Sequence, residues 1–593
     1  MPAPRARGVL FVSLALGLLL FVWQLGSTGL VDETPPLFAA SARAMAESGD
    51  WLIPRVNGLP RYDKPPLVYW AMGLIYALPG QSQWDPLGTW AARLPSALAT
   101  VVAMQALVIT LLHWPQARRQ PSLTALGAGL AFALSPLVLL WGRIAVSDAL
   151  LTATLALSLL LIWQSYASAG RRWWAGWLVL GLAVLTKGPV AVVLLGLTLV
   201  LFAALQADWR GLWRSLRPLR GLLLTALVAL PWYGAALVVE GEPFWRSFFG
   251  YHNLQRFTSV VNDHQAPWWF FGLVLVLASL PLTPLLLLGL VRGLRGPAPP
   301  PPLSLQRFAA CWLLAVLLFF SAAATKLPSY WLPATPAAGL LIALAAQRRP
   351  RLAWRLCALL ALLLALVFAA APLWVPWIVS PEMPQLPETL LASGRWALAA
   401  ACFGLAAALA LVGWRRGSAV ALLALQLPLV LFVPLALLPL WQLGDQLRGE
   451  PVRRLAAAAV ERQAAQRQAA SGAPEPLAMV GMLKPSLHFY GRQVVIYEGA
   501  EAAGLVNLAE RLAGEVRRGQ VPSRGSQQPH LLLVIDADTA AREHWRGLDP
   551  ELLDQAGIYR LWRLGRQRLE QRAGELAAAG VRADWRDPRP ERY

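Results

Sequence analysis

Asp32, Glu33, Asp50, Asp63 and the turn Lys64-Pro65-Pro66 fall within one 35-residue stretch of an otherwise apolar chain. Carboxylates so placed can take a proton from a hydroxyl nucleophile, hold a metal ion, or cap the helix that follows. Capping is the bland alternative for Asp32 and Glu33, and Pro35 suits a first helical turn. Further on, Asp148 sits in Gly142–Leu150 beside Arg143, where a salt bridge is the alternative to chemistry; an acid at the end of an apolar run needs water or a partner. Basic side chains that can grip a phosphate recur at intervals: Arg43, Arg55, Arg61, Lys64, Arg143, Lys187, Arg246, Arg256 and Lys326. Lysine supplies a point charge and arginine a bidentate fork, although any one of them could instead snorkel to lipid headgroups. Tyr330, four residues after Lys326, adds a hydroxyl donor. His252 and His264 lie close to these cations, and His252 could ligate a metal together with a first-loop carboxylate.

The elements that must position these groups are membrane helices. The chain of 593 residues is 57% hydrophobic, only 14% charged, and has a mean hydropathy of +0.50. Apolar runs of about 20 residues, the length that crosses a bilayer core, recur throughout. Spans are expected at 8–25, 87–112, 122–141, 149–168, 173–187, 188–206, 219–238, 268–291, 307–324, 333–347, 352–377, 395–414 and 418–441, about 13 in all, with Lys187-Gly188-Pro189 a tight turn or a kink. The first is read as a retained anchor, because no small-residue cleavage site follows it.

Charge checks the count. With a cytoplasmic N-terminus, 19 basic residues from Arg5 to Arg416 fall in the inside loops, against about nine in the outside segments, as the positive-inside rule requires. Of 13 acids before residue 440, only Asp208 falls inside. The outer face therefore holds the chemistry. The formal charge of +20 marks topology rather than nucleic-acid binding, since the arginines punctuate apolar runs. Cys311, Cys357 and Cys402 lie within such runs without metal-ligand spacing and read as packing residues.

The expected domains are a membrane domain, 1–441, whose first outer loop spans 26–86, and a soluble α/β domain, 442–593. In the latter Leu477–Met482, Val494–Tyr497, His530–Ile535 and Ile558–Trp562 read as strands alternating with helices. An odd number of spans places this domain outside. It carries no motif assignable to catalysis, and His488 and Tyr490 read as packing or surface residues.

The motifs Asp32-Glu33, Ser48-Gly49-Asp50-Trp51, Pro54 to Pro60, Tyr62-Asp63-Lys64-Pro65-Pro66, Arg143 to Asp148, Thr186-Lys187-Gly188-Pro189, His252 to Phe257 and Lys326 to Tyr330 occur in this order. In that arrangement the chain resembles bacterial membrane glycosyltransferases of the aminoarabinose transferase and protein O-mannosyltransferase superfamily. The resemblance implies a polytopic α-helical GT-C fold with outer amphipathic helices. It also implies an inverting transfer of a monosaccharide from a polyprenyl phosphate, outside the cytoplasmic (inner) membrane. Carried over by position, Asp32 is the essential acid, with Glu33 beside it, and Asp148 the second. Lys64, Arg256 and Tyr330 hold the donor phosphate, with Lys326 and Arg143 as further candidates. Asp63 stands where the family usually has Glu and pairs with His252 at a candidate divalent-metal site; no organic cofactor is implied. Two departures stand out. Thr34-Pro35-Pro36-Leu37-Phe38 follows where the family often has Arg-Tyr, and the stretch to Ser48 is two residues longer, so an arginine expected near the phosphate is missing unless Arg43 or Arg143 replaces it. The implied partners are the lipid-linked donor, membrane lipids, and an acceptor that is lipid A or another envelope glycolipid, or alternatively a protein Ser or Thr. A non-catalytic lipid-linked sugar transporter is the reading from another class. It would place ionisable residues and broken helices at mid-span, whereas here they gather at one face.

Overall fold

A computed structural model describes residues 4–117, 119–260, 265–347, 351–416, 419–468, 474–513 and 528–587. Arg118, Asp263 and His264, and with them Arg348 and Arg349 of the charge pattern, lie outside the described residues.

Each of the 13 expected spans falls on helix, because a chain crossing a bilayer must satisfy its backbone polar groups internally. By length and composition, 7 helices among the described residues suffice to cross a membrane, or up to 8 counting the pair Leu386–Ala392 and Arg395–Leu411, bent by 61°. The other expected spans are shorter or interrupted. Pro121–Ala133 gives way to Pro136–Trp141, and Phe270–Leu277 to Thr283–Leu294, each second helix opening near a proline that cannot donate to the preceding turn. Lys187-Gly188-Pro189 is a break between Trp173–Lys187 and Val190–Gln206, with Gly188 at φ +89°, a conformation that glycine adopts without steric cost. Small residues let helices approach closely: at Gly339 a Cβ would sit 2.8 Å from the carbonyl oxygen of Ala128. The three cysteines are buried and free, as packing residues.

Between the first helix (Pro4–Phe21) and the Thr89–His113 span lies a folded loop. It contains helix Thr34–Ser48, the two-residue strands β1 (Arg55–Val56) and β2 (Leu59–Pro60), and helix Leu67–Tyr76. β1 and β2 pair antiparallel around Asn57 (φ +53°) and Gly58 (φ +82°), the left-handed pair that a tight hairpin demands.

At the far end, helix Leu438–Arg448 runs on through Gly449 into Glu450–Gln468, so the chain stays helical across the expected boundary at 442. Then come β3 (Leu477–Val480), β4 (Val495–Glu498), β5 (His530–Asp536), β6 (Glu551–Ala556) and β7 (Tyr559–Gly565), in one sheet of order β4-β3-β5-β7-β6. β4 and β5 flank β3 in parallel, while β5–β7 and β7–β6 are antiparallel. Strand β6, absent from the sequence reading, is Glu-Leu-Leu-Asp-Gln-Ala, a helix-favouring string held extended by its hairpin with β7.

Candidate active site

The first loop delivers its charges by a short relay. Leaving β2, Arg61 donates its backbone N–H to Pro54 O at 2.7 Å. Its buried guanidinium forks onto Asp63, Nε to Oδ1 at 2.7 Å and Nη2 to Oδ2 at 2.6 Å. Tyr69 Oη also donates to Oδ1 at 2.9 Å, and its ring stacks on Phe38, over which the Arg61 guanidinium lies. Burial opposes ionisation of Asp63, but Arg61 and then Lys64 outweigh it and hold the carboxyl well below the usual carboxylate range. Lys64 Nζ donates to the Asp63 carbonyl at 2.8 Å. Burial pushes its ammonium down; Asp63 resists, Arg256 and Lys187 add to the fall, and the pKa comes to about 8.

Facing Lys64 are the mouths of two spans. Asp148 opens helix Asp148–Ala167, Lys187 closes Trp173–Lys187, and Lys187 Nζ meets Asp148 Oδ1 at 2.6 Å. Lys187 also lies 5.2 Å from the centre of the Tyr330 ring, on a 3₁₀ turn (Pro328–Ala334). A π-helical segment, Trp245–Gln255, brings His252 and Asn253, and Arg256 follows it. Backbone hydrogen bonds from Ala324 N to Phe257 O and from Thr325 N to Arg256 O fasten that segment to the Lys326 loop. Burial, with Lys64 next, pushes the His252 imidazole down to about 3, so it is neutral near pH 7.

Asp63, Lys64, Asp148, Lys187, His252, Arg256 and Tyr330 line one cavity of about 350 Å³. Its other walls are apolar, including Leu151, Val190, Val193, Phe319 and Phe320. Val193 and Leu254 line it while remaining exposed, so the cavity is open to the outside past apolar side chains. A cationic end joined to an apolar opening suits an amphiphile with an anionic head.

Of the expected site residues, Asp148, Lys64, Arg256, Tyr330, Asp63 and His252 converge here; Asp32, Glu33, Arg143 and Lys326 are not among the lining residues. Asp32 is buried against the C-terminal domain, accepting hydrogen bonds from Ser486 N (2.9 Å) and Ser486 Oγ (2.7 Å), and burial raises its pKa. Glu33 is exposed and its side chain caps nothing, although the helix does begin at Thr34. Arg143 donates to Leu20 O and Trp23 O at the exit of the first helix, so it neither bridges Asp148 nor substitutes for the missing arginine. Arg43 is likewise committed, to Phe489 O at 2.6 Å. Lys326 Nζ turns back to Ala323 O at 2.7 Å, next to the lining. Lys187, which the sequence offers only as one of nine cations able to grip a phosphate and gives no particular role, also lines the cavity; its signal is a lysine at the end of an apolar helix, before Gly188-Pro189.

The metal expectation fits poorly. Both Asp63 oxygens are taken by Arg61 and Tyr69, and among the described residues no group of three His, Cys, Asp or Glu side chains could hold an ion.

Comparison with known proteins follows the same lines. Residues 63–234 match the dolichyl-phosphate-mannose-protein mannosyltransferase family, and residues 466–580 match the cyanobacterial RgtA-type glycosyltransferase C-terminal domain. The structure superposes on crystallographic ArnT from Cupriavidus metallidurans bound to undecaprenyl phosphate with a TM-score of 0.76, covering 95% of this chain and 98% of that one at 24% identity. The architecture is thus that of a GT-C membrane glycosyltransferase. An undecaprenyl phosphate-alpha-4-amino-4-deoxy-L-arabinose arabinosyl transferase of Pseudomonas paraeruginosa is 33% identical over 402 residues, 65% of this chain and 69% of that protein. A Sodalis glossinidius enzyme of the same name is 32% identical over 426 residues, 63% and 69% of the two chains. The chain belongs to this aminoarabinose transferase family.

Proposed function

We propose that this protein transfers 4-amino-4-deoxy-L-arabinose, or a closely similar monosaccharide, from undecaprenyl phosphate to lipid A or a related envelope glycolipid, at the periplasmic face of the inner membrane. The observation that carries this reading is the convergence of Lys64, Arg256, Lys187 and Tyr330 on an open cavity whose other walls are apolar. A polyprenyl tail needs such an opening, and its phosphate needs such cations. The periplasmic assignment is supported by the arginine distribution: the cavity-lining cations fall in the segments expected outside, away from the basic loops expected inside.

The chemistry is a single displacement. An acceptor oxygen attacks the anomeric carbon as the bond from that carbon to the donor phosphate oxygen breaks, and the configuration inverts. The electron pair stays on the departing polyprenyl phosphate, where Lys64 and Arg256 stabilise the added charge and the Tyr330 hydroxyl donates to it. Asp148 is the carboxylate placed to take or direct the acceptor's proton: Oδ1 meets Lys187, and Oδ2 accepts no hydrogen bond among the described residues. Asp63, clamped by Arg61, serves instead to hold Lys64. A protein Ser or Thr acceptor is the second reading, favoured by the mannosyltransferase family match over residues 63–234.

Titration of purified protein with undecaprenyl phosphate tests the donor site. The expected result is saturable binding that Lys64→Ala and Arg256→Ala each weaken by roughly tenfold or more, the loss of one charge-assisted hydrogen bond. Equal affinity in both variants would refute the assignment.

A further inference from the structure

The C-terminal α/β domain grips the first loop immediately upstream of Lys64. The Asn57 side chain acts as one more strand residue on the outer edge of the sheet: its Nδ2 donates to Val495 O and its Oδ1 accepts from Val495 N, both at 2.8 Å. β4 is an edge strand, so these groups of Val495 face no other strand on that side. Asn57 is buried, and its backbone N–H donates to His488 Nε2 at 3.0 Å. The other imidazole nitrogen, Nδ1, lies 2.6 Å from Gln493 O, which fixes it as the protonated one and leaves Nε2 to accept. Burial keeps that ring neutral, as this tautomer requires.

From Asn57 the chain reaches Lys64 in seven residues, and each step is braced. β2 pairs with β1, Arg61 N bonds Pro54 O, the Arg61 fork holds Asp63, and the Asp63 carbonyl receives Lys64 Nζ. The upstream part of the loop is tied to the same domain by the Asp32–Ser486 contact, by Leu30 N to Tyr490 Oη (2.9 Å), and by Arg43 to Phe489 O.

We propose that Asn57 is a positioning residue for the donor phosphate site: through its clasp on Val495, the C-terminal domain sets the place of Lys64 in the cavity. The domain thereby forms part of the frame of the catalytic centre. The inference rests on the donor-site reading above, and its test separates the two.

Asn57→Gly removes both amide bonds while keeping the φ of +53° free of strain; Asn57→Asp keeps the acceptor for Val495 N–H and loses the donor. The chain has only four lysines, Lys64, Lys187, Lys326 and Lys484, so labelling by an amine-reactive reagent near pH 7 can be read at each by mass spectrometry. The full-length Asn57→Gly protein is expected to label several-fold faster at Lys64 with Lys326 unchanged. Its donor KM should rise and its kcat fall, so that the donor kcat/KM drops roughly tenfold, the worth of two neutral hydrogen bonds, with acceptor KM little altered. Asn57→Asp should fall between it and the wild type. If Asn57→Gly does not fold, Asn57→Asp carries the same two readouts. Unchanged Lys64 labelling, or faster labelling with an unchanged donor KM, overturns the proposal. Faster labelling in a protein whose wild type binds no undecaprenyl phosphate would instead overturn the donor-site reading and leave the clasp standing.

Discussion

Lys187 and Asp148 meet at 2.6 Å across the mouths of consecutive spans, a lysine at a helix C-terminus against an aspartate at a helix N-terminus. Both ends carry the charge that their helix dipole favours, and both side chains are largely shielded from solvent. The pair fixes the geometry of one cavity wall and leaves the second Asp148 oxygen without a hydrogen bond among the described residues.

Asp148→Asn removes the proton acceptor and should lower kcat by about 10²–10⁴, the usual span of general-base catalysis. Lys187→Met strands a shielded carboxylate. In a double-mutant cycle read on kcat and melting temperature, the two changes should be strongly non-additive; additive losses would show that the pair does not act as a unit.

Lys64 sets an alkaline limb. In the proposed donor site its ammonium form holds the phosphate, and with a pKa of about 8 the free enzyme loses that charge as pH rises past this value. The donor kcat/KM should therefore be flat near neutrality and fall about tenfold per pH unit well above 8. In Lys64→Arg, whose guanidinium does not titrate in this range, the limb should vanish even if the plateau is lower.

Asp63→Asn breaks the Arg61 fork and leaves a buried guanidinium without its counter-charge. The expected cost is about 3–5 kcal/mol of stability, readable by thermal unfolding in detergent. Since both Asp63 oxygens are spoken for, chelator treatment should change the transfer rate by less than about twofold.

Asp32 separates the structural reading from the one that the family resemblance implied. Asp32→Ala strands the buried Ser486 N–H and hydroxyl, at about 1–3 kcal/mol of stability. Turnover per folded molecule should stay far above that of Asp148→Asn. Loss of turnover in Asp32→Ala equal to that in Asp148→Asn would return Asp32 to the catalytic set.

The spans were legible because apolar runs and arginine placement report directly on the bilayer. The Lys64, Asp148 and Arg256 positions were legible because charge is conspicuous in a greasy chain, and Tyr330 because its hydroxyl stands four residues after Lys326. The contact of Asp32 with Ser486 was not legible, because Ser486 lies 454 residues away in a domain without catalytic motifs, and no local spacing encodes such a contact. Arg143 reads as a phosphate ligand in sequence, yet it donates to carbonyls that the end of the first helix leaves unpaired. Strand β6 went unseen for a similar reason: its pairing with β7, not its own propensities, decides its conformation.

Sugar transfer is read by incubating purified protein with radiolabelled undecaprenyl phosphate sugars and an envelope lipid extract, with Asp148→Asn and Lys64→Ala alongside. The account predicts label in a glycolipid product with wild type, released undecaprenyl phosphate in equal amount, and neither product above background with the two variants. No transfer by folded wild-type protein from any such donor, or transfer by Asp148→Asn at the wild-type rate, would contradict it.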